Sequence, residues 1–152
     1  KIMKKVLFYL FTEPDKAGSL RQHEYLACQK AFEAWQQNLR ILIVCQSKEQ
    51  AEKIDEYLWQ FDTSRFLPHN LVGEGPHGGA PVEICWPGCR GSGVRQLLIN
   101  LQDELIDVAV MFNDIVDFVP FEEKDKILAR TRYKAYKNLG FNLKTIQVAP
   151  VR

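Results

Sequence analysis

Near the C-terminus, three basic residues and a tyrosine have the spacing of a binding surface. Lys126, Arg130 and Lys134 recur at i, i+4 and i+8, which on a helix stacks their side chains along one face, and Tyr133 lies one residue from Lys134 and three from Arg130. A guanidinium beside an aromatic ring suits a carboxylate with an apolar neighbour, the chemistry of an acidic peptide tail, and it suits phosphate as well. A solvated helix face, the usual fate of a charge run, is the plain alternative.

A second stretch matches a motif without meeting its physics. Gly73-Glu74-Gly75-Pro76-His77-Gly78 spells the G-x-G-x-x-G of dinucleotide-binding folds, which needs a strand before the glycines and a helix N-terminus after them to meet a pyrophosphate. Here Gly78-Gly79 runs into "APVEICW" (80–86), a strand pattern, so no helix opens where the phosphates belong. The preceding "FLPHNLVGE" is broken by Pro68 and Asn70 and makes a poor central strand. "PGCRGSG" (87–93) lacks the lysine ending of a Walker loop and reads as a connector.

Catalytic and metal constellations are weak. His23, His69 and His77 have no serine, cysteine or carboxylate pair near them in sequence, and the cluster His69, Asn70, Glu74 and His77 fits loop hydrogen bonding better than catalysis. Cys85 and Cys89 form a C-x-x-x-C without the second ligand pair that structural zinc requires, while Cys28 and Cys45 fall at core positions. Neither a metal nor a cofactor is expected, and the cysteines are expected to stay reduced.

The elements that must position these residues begin with "KVLFYLF" (5–11), a buried strand. Ser19 and Gln22 have capping-box spacing for a helix running to about Asn38, with Leu20, Ala27, Ala31 and Trp35 near one face. "RILIVC" (40–45) is a second strand, and Ser47 with Gln50 caps a helix whose Ala51, Ile54 and Leu58 form one stripe. Trp59 lies to the side of that stripe, and Phe66 sits in a polar loop; each either flanks the core or contacts a partner.

"LLINL" (97–101), "VAVMF" (108–112) and "IVDFV" (115–119) are short apolar runs with strand character, the first of which also fits a short helix continuing into "QDELI". After Pro120, acidic Glu122, Glu123 and Asp125 mark a helix start, and Gly140 marks its C′ position. "FNLKTIQV" closes the chain as a last strand. Alternating strands and helices predict an α/β fold, one Rossmann-like sheet, mostly parallel, with helices packed on its faces.

At 152 residues and 46% hydrophobic content, the chain has the size of one domain. Met3-Lys4-Lys5 reads as a natural start with Lys1 and Ile2 as a remnant ahead of it, so the domain is expected over 3–152. No apolar run reaches bilayer length and no secretory signal is visible, which points to the cytoplasm. The net charge of +1 divides into +5 over residues 121–152, from eight basic and three acidic side chains, and −4 over residues 1–120. A local basic face on a nearly neutral chain favours a short anionic segment over a long duplex.

"FYL" (8–10), "PHNLVGEGPHGGAPVEICW" (68–86), "IVDFVP" (115–120) and "LARTRYKAYKNLGFNL" (128–143), in that order, resemble the chi subunit of bacterial DNA polymerase III holoenzyme over nearly the whole chain. The resemblance implies a non-catalytic accessory protein of the clamp-loader complex on an α/β fold without a nucleotide site. It also implies that the psi subunit and the acidic, phenylalanine-ended C-terminal tail of single-stranded DNA-binding protein are partners, with DNA contacted mainly indirectly. A helicase would share a surface overlapping that for psi.

Carried over by motif position, Lys126, Arg130, Tyr133 and Lys134 would hold the tail, with Val119 lining an apolar pocket, and Trp59 and Phe66 would face psi. The loop "PGCRGSG" and the extension Val148 to Arg152 depart from the family pattern. Two competing readings are a small nucleotide-dependent enzyme with its site at the carboxyl edge of the sheet, and direct binding of single-stranded nucleic acid by the basic helix.

Overall fold

The computed structural model describes residues 3–60, 66–105 and 107–149. Its elements in chain order are β1 (Lys5–Leu10), α1 (Gln22–Gln36), β2 (Ile41–Val44), α2 (Lys48–Gln60), β3 (His69–Leu71), β4 (Val82–Cys85), β5 (Leu97–Asn100), a 3-10 turn (Asp107–Met111), β6 (Asp114–Val119), α3 (Glu123–Asn138) and β7 (Asn142–Gln147). The strands make one sheet in the order β3-β4-β2-β5-β6-β1-β7, and every pairing is parallel. The predicted α/β class holds, although the strand order is not that of the dinucleotide-binding fold.

Handedness explains which face each connection takes. The crossovers from β1 to β2 and from β2 to β3 move one way along the sheet and carry α1 and α2 on one face; all later ones move the opposite way and lie on the other face with α3. Ala27, Cys28, Ala31, Ala51, Ile54 and Leu58 bury the first layer against Ile41, Ile43, Ile84 and Ile99. Val6, Phe8, Leu42, Leu98 and Ile115 form the opposite face, closed by Tyr136, Phe141 and Phe112.

Three local expectations change. The first helix is capped not by Ser19 but at Arg21, whose N–H donates to Glu24 Oε1 at 2.7 Å, and ion pairs of Arg21 with Asp15 and Asp125 fix that start. "VAVMF" is the 3-10 turn rather than a strand, closed by Phe112 N–H to Ala109 O at 3.1 Å; a short apolar run does not distinguish the two by periodicity. "HNL" is, as expected, no central strand: it forms a three-residue strand at the sheet edge, where the neighbouring Pro68 is tolerated. The second capping box forms only in part: Gln50 N–H donates to Ser47 Oγ, but Gln50 Oε1 accepts from Gln46 N–H rather than from that of Ser47.

Two of the crossovers on the α3 face, 72–81 and 86–96, contain no helix. They lie over Glu83, which shares a register row with Asn70 and Leu42. Glu83 accepts from Ser92 N–H at 2.6 Å and pairs with Arg95 at 3.2 Å, and Arg95 Nη1 donates to the carbonyls of Ala80 and Pro81. The glycines let this layer approach closely: a Cβ on Gly79, which has φ +77°, would lie 2.5 Å from both Arg95 and Glu83.

α3 is tied to the sheet by a buried polar knot. Asp117, fully buried in β6, receives Arg132 Nε at 3.1 Å, Asn100 Nδ2 at 3.2 Å and the Tyr136 hydroxyl at 2.8 Å. Arg132 also donates to the carbonyls of Asp103 and Phe118. Burial and then Asp117 push the Tyr136 pKa well above its ordinary value, so the hydroxyl keeps its proton and donates.

Two stability tests follow from these contacts, both read by chemical denaturation. Gly79→Ala should lose about 2–3 kcal/mol through clash and left-handed backbone. Gly88→Ala, with φ +92° but open space around the added Cβ, should lose about 1 kcal/mol; equal losses would contradict the close-approach argument. Arg132→Met, which strands the Asp117 charge, should cost about 3–5 kcal/mol, against about 1.5–3 kcal/mol for Tyr136→Phe.

Candidate binding surfaces

The knot decides what α3 offers to solvent. With Arg132 and Tyr136 turned inward, Lys126, Arg130, Tyr133 and Lys134 fall on the outer side of the helix. Lys126 Nζ sits 5.2 Å from the centre of the Phe121 ring, a cation–π contact at the start of the stripe. Arg130 is exposed, and its one ion pair among the described residues is with Glu123 at 3.6 Å. Two thirds of each of those side chains is solvated, so the pair is worth little and exchanges readily for another carboxylate.

Tyr133 is 38% exposed, with its ring 5.6 Å from the buried Phe8. One face of the ring therefore rests on the core and the rest is available. Val119 is half-buried at the end of β6 and packs against the same core layer. Ile127 and Phe121 add exposed apolar surface to the same helix and the turn before it. The sequence reading missed both, since isolated apolar residues in a polar helix carry no periodic signal.

Trp59 and Phe66 are 59% and 62% exposed, so neither is part of the buried core. Their ring centres are 5.4 Å apart, at the end of α2 and just before β3, so residues seven apart in sequence form one aromatic pair. The buried His69 ring lies 4.8 Å from Trp59 and 6.4 Å from Phe66. The polar cluster anticipated in the glycine loop is thus divided: His69 supports the aromatics and Asn70 joins Glu83 and Ala80, while Glu74 and His77 are exposed.

A cleft of about 300 Å³ lies at the carboxyl ends of β2, β5 and β6, where nucleotide-binding sheets hold phosphate. Its walls include the Arg21–Asp125 ion pair and Arg132 of the knot. The G-x-G-x-x-G string lies elsewhere, in the loop between β3 and β4, and leads into a strand. The free cysteines Cys28, Cys45 and Cys85 are buried, and burial pushes the Cys85 thiol up to about 12. Among the described residues no helix is long and apolar enough to cross a membrane, and no group of three metal-ligating side chains converges.

Comparison with known proteins places these surfaces in a family. The family model described as DNA polymerase III chi subunit, HolC, matches residues 3–144. DNA polymerase III subunit chi of Escherichia coli K12 is 48% identical over 143 residues, covering 94% of this chain and 97% of that one. The Haemophilus influenzae subunit chi is 43% identical over 95% of this chain and 98% of that one, and the Pseudomonas aeruginosa subunit chi is 30% identical over 93% and 94%. The chain belongs to the DNA polymerase III chi subunit family.

Proposed function

We propose that the chain is a non-catalytic accessory subunit of the polymerase III clamp-loader complex, bridging the psi subunit to the C-terminal tail of single-stranded DNA-binding protein. The observation that carries this reading is a pair of chemically different exposed surfaces at opposite ends of one sheet. The basic, tyrosine-edged stripe lies on α3, beside β6 and β7; the Trp59–Phe66 pair lies beside β3. Seven strands at about 4.8 Å spacing separate the two edges by roughly 29 Å, enough for two partners to bind at once.

In this reading Arg130, Lys126 and Lys134 meet the carboxylates of the tail, while Val119 and the Tyr133 ring shelter its terminal phenylalanine. Trp59 and Phe66 act as hot spots for psi: they are large, adjacent and solvent-facing. A helicase using the same aromatic pair would compete with psi and leave the tail site free. The domain 3–152 works as one unit, since both surfaces depend on the same sheet.

Arg130→Glu combined with Lys134→Glu should abolish capture of the tail while leaving the circular dichroism spectrum and psi binding unchanged. Phe66→Ala should weaken psi binding by about 2 kcal/mol and spare the tail. Loss of both partners in either variant would contradict two separate surfaces. Direct binding of single strands by the basic stripe would instead show as affinity for an oligonucleotide that falls steeply with salt.

A further inference from the structure

The support beneath the aromatic pair contains an unresolved piece of hydrogen bonding. The His69 side chain has no exposed surface, and its Nδ1 lies 2.8 Å from the carbonyl oxygen of Leu67. A carbonyl only accepts, so Nδ1 carries a proton. The other nitrogen, Nε2, is buried without a hydrogen-bond partner and lies 3.4 Å from Asp55 Oδ1. In a neutral imidazole protonated at Nδ1, Nε2 is a lone pair, and two acceptors would then face each other across a buried gap. One more proton, held by the ring or by the carboxyl group, turns that repulsion into a bond.

Asp55 stands one helical turn before Trp59 on α2. We propose that Asp55 and His69 are positioning residues for the aromatic docking pair: a proton shared between them fixes Trp59 and Phe66 in a binding-ready arrangement, and its loss loosens that surface. The His69 ring packs beside both aromatic rings, so any separation of the two acceptors is transmitted through it to Trp59 and Phe66. The other charges acting on Asp55 are carboxylates from the two flanking elements, Glu74 in the loop after β3 and Glu52 on α2. Burial raises the Asp55 pKa, with His69 pulling it back. For its partner the inference rests on the reading of Trp59 and Phe66 as the psi surface.

Asp55→Asn makes the decisive variant, because the asparagine amide supplies a permanent donor to Nε2 and removes the need for the proton. Two readouts apply across the histidine range, roughly pH 5 to 8: the Trp59 indole resonance in ¹⁵N spectra of the chain alone, and its affinity for psi. In the wild type the resonance should shift with pH and affinity should fall about tenfold as the proton leaves. In Asp55→Asn both should be flat and affinity should match the low-pH wild type, whereas Asp55→Ala should bind weakly throughout. Superimposable pH profiles for the wild type and Asp55→Asn, or an indole resonance indifferent to pH, would overturn the proposal. If psi binds neither protein at any pH, the assigned partner is wrong, and the indole titration still decides whether the pair positions Trp59.

Discussion

A carboxylate in the middle of the buried apolar run of a parallel strand is the constraint on which the arrangement of this molecule turns. Asp117 is fully buried, and a lone ionised carboxyl group there would be untenable. Its three side-chain partners come from β5 and from two successive turns of α3. Because Arg132 and Tyr136 must both reach it, the rotation of α3 about its axis is fixed. The side chains left outside are then those of the basic stripe. A polar knot of this kind adds less net stability than an apolar core of equal volume, but it has one geometry, whereas a greasy helix face can slide.

At the other end of the sheet the same problem has a different solution. Where α3 does not reach, Glu83 and Asn70 replace apolar residues in the register row, and glycine-rich crossovers replace a helix. Of the glycine stretch that mimics a dinucleotide fingerprint, Gly73 and Gly78 have open space around an added Cβ, and it is Gly79, just after the string, that serves close backbone approach over a buried ion pair. This is the property that nucleotide-binding loops use for phosphate, turned here to the protein's own Glu83 and Arg95. On the opposite face, α2 completes the core with Ala51, Ile54 and Leu58 and leaves Trp59 outside it.

Much of this was legible from residue patterns, for reasons that also mark the limits. Long periodic segments with caps, such as α2 and α3, declare themselves because their signals are local. The start of α1 did not, because Arg21 is held by Asp15 and Asp125, the second of them more than a hundred residues away. Asp117 carried a readable warning in "IVDFV", a charge inside an apolar run, but its partners could not be named without the topology that brings β5, β6 and α3 together. Arg132 looked like one more member of a basic run; only burial separates it from Arg130. The exposure of Trp59 and Phe66 was ambiguous because a residue at the edge of an amphipathic stripe is buried or bare according to what packs beside it.

The central claim is that the outer face of α3 recognises a carboxylate-rich peptide with an apolar anchor. The most direct measurement is isothermal titration of the chain with a short acidic peptide ending in phenylalanine, against the same peptide lacking that residue, at low and moderate salt. The account predicts saturable one-to-one binding that requires the phenylalanine and survives moderate salt, since ring burial against Tyr133 and Val119 shares the work with Coulomb attraction. Equal binding of both peptides that vanishes with salt, or no binding at all, would contradict it.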